Sequence, residues 1–119
     1  EPELAHAINA VAPGVLGEEA AKGNAWVVHY STDYVFDGSK LGAYTEDDLT
    51  NPQSVYGRTK RDGEIALQAS GVRHVIFRTS WVVGVHGSNF AKTILRLAVE
   101  RESLNVVQIN MVCQRLLPC

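Results

Sequence analysis

A chain of 119 residues with 45% hydrophobic and 20% charged residues has the balance of one folded domain or part of one, not of a disordered or fibrous protein. Its formal net charge of -2 supplies no basic field that would attract nucleic acid, so we expect no nucleic-acid partner. The sequence contains no run of 18 apolar residues and begins with acidic residues, so we expect no membrane contact, no secretory signal and a cytoplasmic location.

The residues that commonly bind metal ions are few and scattered. Cys113 and Cys119 are the only cysteines, and the four histidines lie far apart without the spacing of a ligand set. We therefore predict no metal site.

The first half of the chain predicts two helices, a strand and a long loop. Residues 3–10 read as a helix, and Pro13 suits the first turn of a second helix that Gly23 ends. The apolar run at residues 25–31 predicts a strand that is covered on both faces. Residues 37–52 are rich in turn-forming residues and predict a surface loop.

The second half predicts two further helices and two further strands. We expect helices over residues 54–69 and 89–101, and strands over residues 72–79 and 104–107. Strands that alternate with helices are typical of parallel sheets with right-handed crossovers. The predicted fold class is therefore α/β, a partial Rossmann-like, doubly wound parallel sheet with helices on both faces.

Polar residues follow each of the first two predicted strands. Ser-Thr-Asp occupies positions 31–33 and Thr-Ser-Trp occupies positions 79–81. Ligands bind at the carboxyl ends of parallel strands, so both sets are expected to line one crevice. The alternative is that the Ser, Thr and Asp side chains only cap a turn, and for positions 31–33 taken alone that interpretation is favoured.

Tyr56 and Lys60 are four residues apart on a predicted helix and therefore project from one face. A lysine ammonium beside a phenol favours the phenolate, which makes the tyrosine a usable proton donor near neutral pH. Such a spacing also arises by chance, in which case Lys60 is solvated and Tyr56 is half-buried on an ordinary helix.

Four sequence blocks in order point beyond chance. They are STDYVFDG (31–38), NPQSVYGRTK (51–60), FRTSWVVG (77–84) and NFAKTILRLA (89–98). Together they resemble the dTDP-4-dehydrorhamnose reductase family, the RmlD-like branch of the extended short-chain dehydrogenase/reductases, and the resemblance runs from residue 1 to about residue 107.

The resemblance implies a role for each matching residue. Thr32 would hydrogen-bond the keto oxygen of the sugar, Tyr56 would donate a proton to it, and Lys60 would bind the nicotinamide ribose of NADPH or NADH. Tyr56 and Thr79 would also contact the cofactor. Asp33 and Trp81 would bind the dTDP-sugar substrate, although a turn-capping carboxylate and a core aromatic are their alternative roles. A complete family member is an oxidoreductase of dTDP-rhamnose biosynthesis, and it is expected to form a homodimer.

The chain also departs from the family pattern. A glycine-rich turn that would cradle the cofactor pyrophosphate is not found, so residues 1–107 are expected to form a partial NAD(P)-binding domain. The resemblance fades over residues 108–119, as a shifted reading frame or a cloning artefact would cause. By itself such a chain is expected to be inactive and marginally stable. Two alternatives remain, another nucleotide-sugar epimerase or reductase, and a non-catalytic regulatory subunit of the same fold.

Overall fold

The computed structural model describes residues 1–101 and 103, and its elements follow the predicted order. The strand predicted at residues 104–107 and the segment 108–119 lie outside the described residues. The elements are the helices α1 (Pro2–His6), α2 (Ala12–Lys22), α3 (Val55–Ala69) and α4 (Phe90–Glu100), and the strands β1 (Trp26–Thr32) and β2 (Arg73–Thr79).

One continuous helical run connects α1 to α2, where the sequence predicts two separate helices. A π-helical turn over Ala7–Val11 joins them without a break, and Pro13 lies in the first turn of α2 as predicted. Proline has no N–H to donate to the carbonyl of Asn9, four residues earlier, and its ring crowds that carbonyl. The π turn directly before it widens the spiral, so the run passes the proline instead of ending.

The two strands pair in parallel and in register. Trp26 lies opposite Arg73, and Thr32 lies opposite Thr79 at the carboxyl ends. Parallel neighbours need a long crossover, and α3 provides it. Parallel strands flanked by helices confirm the predicted α/β, Rossmann-like fold class.

The two faces of β1 have different surroundings. Helices α2 and α3 contact the strand on the face that carries His29 and the buried Ser31. Trp26, Val28 and Tyr30 alternate with these residues and are more than half exposed. Within the described part of the chain, the prediction of a strand covered on both faces is therefore met on one face only.

Helix α3 is the centre of the packing. It contacts the helical run, both strands and the short 3-10 turn after β1 (Asp33–Val35), and its Leu67 is completely buried. A Cβ atom on Gly63 would overlap the backbone carbonyl of Asn9. The side chain of Asn9 also donates a hydrogen bond to the hydroxyl of Thr59 on α3, at 3.1 Å. The glycine thus allows α3 to approach the backbone of the helical run directly.

The predicted loop between β1 and α3 is organised around Asp37. Its carboxylate accepts hydrogen bonds from the backbone and hydroxyl of Ser39 (2.9 and 2.7 Å), the hydroxyl of Tyr44 (3.0 Å) and the side-chain amide of Asn51 (2.9 Å). These donors, the Ser39 hydroxyl foremost, hold the pKa of Asp37 well below its usual value. The ring of Tyr44 stacks on Phe36 with centroids 4.2 Å apart. Contacts between its own side chains therefore hold the loop together, although it has no helix or strand.

The close approach at Gly63 makes a prediction about stability. Gly63→Ala should lower the free energy of unfolding by about 1–3 kcal/mol, because the new methyl group meets a backbone carbonyl that no side-chain rotation can move. Gly23→Ala is the control, since the nearest atom to its Cβ is an oxygen at 3.7 Å, an ordinary contact. Urea unfolding measures both, and equal midpoints for the two variants would contradict the packing described for α3.

The loop makes a second prediction. Asp37→Ala should speed amide hydrogen exchange across residues 38–51, because it removes the acceptor that joins Ser39, Tyr44 and Asn51. Asp47→Ala is the matched control, since the exposed Asp47 makes no hydrogen bond or ion pair among the described residues.

The same experiment has a pH dependence. Because the folded-state pKa of Asp37 is lowered, its stabilisation of the loop is complete above the ordinary carboxyl pKa of about 4 and is lost as the pH falls towards the lowered value. Acidification should therefore reduce the protection of the loop amides more in the wild-type protein than in Asp37→Ala. Loop amides whose protection, relative to the unfolded chain at the same pH, stays constant over this range would exclude Asp37 as the anchor of the loop.

Candidate active site

The carboxyl ends of the two strands lie side by side, as the sequence predicts. Thr32 and Thr79 are register partners, and the hydroxyl of Thr79 donates to the carbonyl of Ser31 at 3.3 Å. The polar residues that follow β1 and β2 therefore share one edge of the sheet. This is the edge at which open parallel sheets bind ligands.

Thr32 is buried and caps the short 3-10 turn over Asp33–Val35. Its hydroxyl accepts from the backbone N–H of Tyr34 at 3.3 Å and donates to the carboxylate of Asp33 at 3.1 Å. The turn-capping interpretation thus describes the Thr32 side chain, whereas the Asp33 carboxylate accepts from the Thr32 hydroxyl. The same two hydrogen bonds hold the Thr32 hydroxyl in a fixed position at the end of β1.

Tyr56 lies in the first turn of α3, beside the turn that follows β1. The hydroxyl of Ser54 caps the helix by accepting from the N–H of Gly57 at 3.0 Å. A Cβ on Gly57 would overlap the carbonyl of Tyr34, so the glycine lets the start of α3 approach that turn. The rings of Tyr56 and Tyr34 then meet edge to face, 6.1 Å apart, and Tyr56 remains half exposed.

Lys60 lies on the same face of α3, one helical turn later. Its ammonium donates a hydrogen bond of 2.6 Å to the carbonyl of Tyr30, close to the carboxyl end of β1. Burial lowers the pKa of this ammonium below its usual value, and the nearby Glu64 carboxylate partly opposes that shift. The structure therefore brings Tyr56 and Lys60 to the strand end that carries Thr32, although no hydrogen bond joins these three side chains within the described residues.

Trp81 stands at the start of the segment after β2 with a left-handed backbone conformation, φ 50°. Its ring packs against Phe90 of α4 with centroids 4.4 Å apart, and the side chain is about half exposed. The other half of the ring is thus available to an apolar ligand surface. Non-glycine residues rarely adopt this conformation, and such strain is concentrated at functional sites.

Sequence reasoning missed a cluster of charges beneath the site. Glu64 is buried and accepts two-pronged hydrogen bonds from Arg78 of β2, with Nη2 to Oε2 at 2.7 Å and Nε to Oε1 at 3.0 Å. His29 of β1 faces the same space, and burial, together with the charge of Lys60, lowers the pKa of its imidazole. The available signal was spacing, because Glu64 continues the four-residue interval that relates Tyr56 to Lys60.

Neither a metal centre nor a membrane span is found in the described chain. No group of three or more potential metal-ligating side chains occurs among residues 1–101 and 103. In the same part of the chain, every helix is too short or too polar to cross a bilayer.

Sequence comparison relates the chain to one family of known proteins. A sequence model of the RmlD substrate binding domain matches residues 1–113. The dTDP-4-dehydrorhamnose reductase of Salmonella typhimurium is 53% identical over 107 residues, which are 90% of this chain and 36% of that protein. The chain therefore spans about a third of the length of the curated relatives it matches.

Solved structures agree with the sequence comparison. A dTDP-4-dehydrorhamnose reductase from Clostridium acetobutylicum superposes with a TM-score of 0.82 at 43% identity, covering 89% of this chain and 38% of its own. The enzyme of the same name from Bacillus anthracis, solved in complex with NADP, gives a TM-score of 0.80 at 38% identity, with 87% and 37% covered. By sequence and by fold, the chain belongs to the RmlD substrate-binding domain family.

Proposed function

We propose that the complete protein reduces the 4-keto group of dTDP-4-dehydro-L-rhamnose to give dTDP-L-rhamnose, with NADPH as the reductant. The observation that carries the proposal is the position of Tyr56 and Lys60 on one face of α3, at the strand end where the Thr32 hydroxyl is fixed. Relatives named dTDP-4-dehydrorhamnose reductase, one of them solved with NADP, support the choice of substrate and cofactor.

The proposal concerns a protein longer than this chain. Residues 1–107 would form part of its NAD(P)-binding, Rossmann-like domain, and the pyrophosphate-binding turn and the remaining substrate contacts would come from other segments. The share of about a third of the relatives' length supports this division. A homodimer and a cytoplasmic location remain predictions from the sequence.

The residues at the strand end fit the ribose of a nicotinamide nucleotide. Tyr30 takes one of the three N–H donors of Lys60, and the other two are suited to a pair of ribose hydroxyls. The Thr79 hydroxyl lies at the same edge of the sheet. When bound there, the nicotinamide supplies the hydride that the ketone carbon receives.

Two hydroxyl groups would act on the carbonyl oxygen of the sugar. Negative charge grows on this oxygen during reduction, and donors already in position stabilise it without reorganisation. The Thr32 hydroxyl would turn its proton from Asp33 to this oxygen, and Tyr56 would deliver the proton that completes the alcohol. The ammonium of Lys60 favours the resulting phenolate of Tyr56.

Asp33 and Trp81 are the proposed substrate contacts. The exposed part of the Trp81 ring offers an apolar surface suited to the methyl-bearing face of a deoxysugar. Once Thr32 turns to the substrate, the carboxylate of Asp33 gains an acceptor site for a sugar or nucleotide hydroxyl. Both assignments rest on the matched family motifs as well as on this geometry.

The role of Tyr56 is tested by Tyr56→Phe in the complete enzyme. We expect turnover to fall by about 10²–10⁴-fold, the usual contribution of a general acid, because only the hydroxyl is removed. Nicotinamide oxidation with the dTDP-4-keto sugar measures the loss, and the urea midpoint serves as the control that should change little.

Three outcomes would contradict the proposal in different ways. Near-normal turnover of Tyr56→Phe would remove Tyr56 from the mechanism. Faster reduction of a keto sugar carried on another nucleotide would favour a neighbouring nucleotide-sugar enzyme. A wild-type protein that binds the dTDP-sugar without any turnover would favour a non-catalytic subunit of the same fold.

A further inference from the structure

Glu64 is a buried carboxylate for which the proposed reaction has no direct use. Its side chain is only 3% exposed, and Arg78 holds both of its oxygens, with a third contact from Nε to Oε2 at 3.3 Å. The guanidinium also lies over the ring of Phe36, 5.1 Å from its centroid. These contacts fix the position and the direction of the carboxylate.

Stability alone is a weak reason for such a pair. Removing two charges from water costs free energy that their attraction often only balances, and apolar residues of similar volume commonly stabilise a fold as well or better. An ion pair in this position between α3 and β2 therefore invites a functional explanation. The nearest candidate on the same helix face is Lys60, one turn before Glu64.

We propose that Glu64 is a positioning residue: clamped by Arg78, its fixed negative charge stabilises the Lys60 ammonium one helical turn away, where that ammonium donates to the carbonyl of Tyr30. This role rests on the proposed function, in which Lys60 acts as a cation beside Tyr56. Arg78 contributes by preventing the carboxylate from turning away, since its two-pronged hydrogen bonds allow one orientation only.

The surroundings of Lys60 show what the charge of Glu64 opposes. Partial burial favours the neutral amine, and Glu64 is the group that acts in the opposite direction. The other titratable groups that face this space are His29 from β1, Arg78 from β2 and Tyr56 from α3 itself. Of the two carboxylates near this strand end, Asp33 accepts from the Thr32 hydroxyl, and Glu64 is the one that acts on Lys60.

The test uses Glu64→Gln in the complete enzyme and follows kcat/KM against pH. Loss of the carboxylate removes the influence that raises the pKa of Lys60, so the ammonium should lose its proton at a lower pH. We expect the alkaline limb of the profile to move down by about one pH unit, the lower end of the effect of an opposite charge nearby. A folded Glu64→Gln enzyme with the wild-type profile would overturn the proposal.

A second variant separates charge from folding. Glu64→Gln leaves Arg78 without its partner and can destabilise the protein, whereas Glu64→Leu with Arg78→Met replaces the whole pair by apolar side chains. The double variant should fold and should retain the lowered alkaline limb. If it recovers the wild-type profile, the pair is purely structural and the proposal fails.

Asp62→Asn is the matched control. Asp62 lies on the same helix, two residues before Glu64, and pairs with His6 at 3.8 Å. This pair is about half exposed to solvent, and Asp62 lies on a different side of α3 from Lys60, so removal of its charge should leave the pH profile in place. An equal shift in Asp62→Asn would show that any charge lost from α3 produces the effect, and it would count against a specific role for Glu64.

A direct titration of Lys60 distinguishes failure of this proposal from failure of the proposed function. Acetic anhydride modifies only the unprotonated amine, and mass spectrometry of the Lys60 peptide gives its extent of labelling at each pH. The labelling midpoint should lie about one pH unit lower in Glu64→Gln than in wild type. If the wild-type protein reduces no keto sugar, the reaction assignment fails, and unchanged labelling midpoints would still exclude the role of Glu64 independently.

Discussion

The close approach of α3 to neighbouring backbone at two points is the constraint on which the site depends. Gly57 packs on the carbonyl of Tyr34 after β1, and Gly63 packs on the carbonyl of Asn9 in the helical run. Both contacts are made to backbone, so neither can relax by rotating a side chain. The two glycines are six positions apart, which places the contacts on different sides of the helix. Together these two contacts fix how closely α3 approaches the rest of the fold and how it is rotated about its own axis.

This fixed rotation gives one helix face three different partners. Tyr56 meets the turn after β1, Lys60 reaches the carbonyl of Tyr30, and Glu64 reaches Arg78 of β2. Along the same face the side chains pass from half exposed, through partly buried, to fully buried. Charge interactions strengthen as water is excluded. The carboxylate of Glu64, the most buried of the three side chains, is therefore held most strongly by its partner. A rotation of α3 would break all three contacts together.

The sequence predicts local structure well and pairings between elements poorly. The apolar run at residues 25–31 anticipates β1 to within one residue, and Asn89 caps α4 as its position suggests. The pair of Glu64 and Arg78 could not be predicted, because it joins residues 14 positions apart through the packing of α3 on β2. The π turn was missed for a related reason, since it reflects Pro13 and the tertiary packing of Asn9, which hydrophobic periodicity does not encode.

In an ordinary core strand the apolar side chains face the packed helix, whereas in β1 polar side chains lie on the face under α3. This arrangement affects the surroundings of Lys60. The aromatic and aliphatic face of β1 is open in the described part of the chain, whereas the face under α3 carries His29 and Ser31. Among the residues that the structure describes, the buried His29 Nε2 and Ser31 Oγ atoms have no hydrogen-bond partner. Because burial and Lys60 lower its pKa, His29 is neutral near pH 7 and adds no second cation beside Lys60. A protonated imidazole would repel the ammonium, so a neutral His29 and an ionised Glu64 both favour the positive charge that the proposed reaction requires of Lys60.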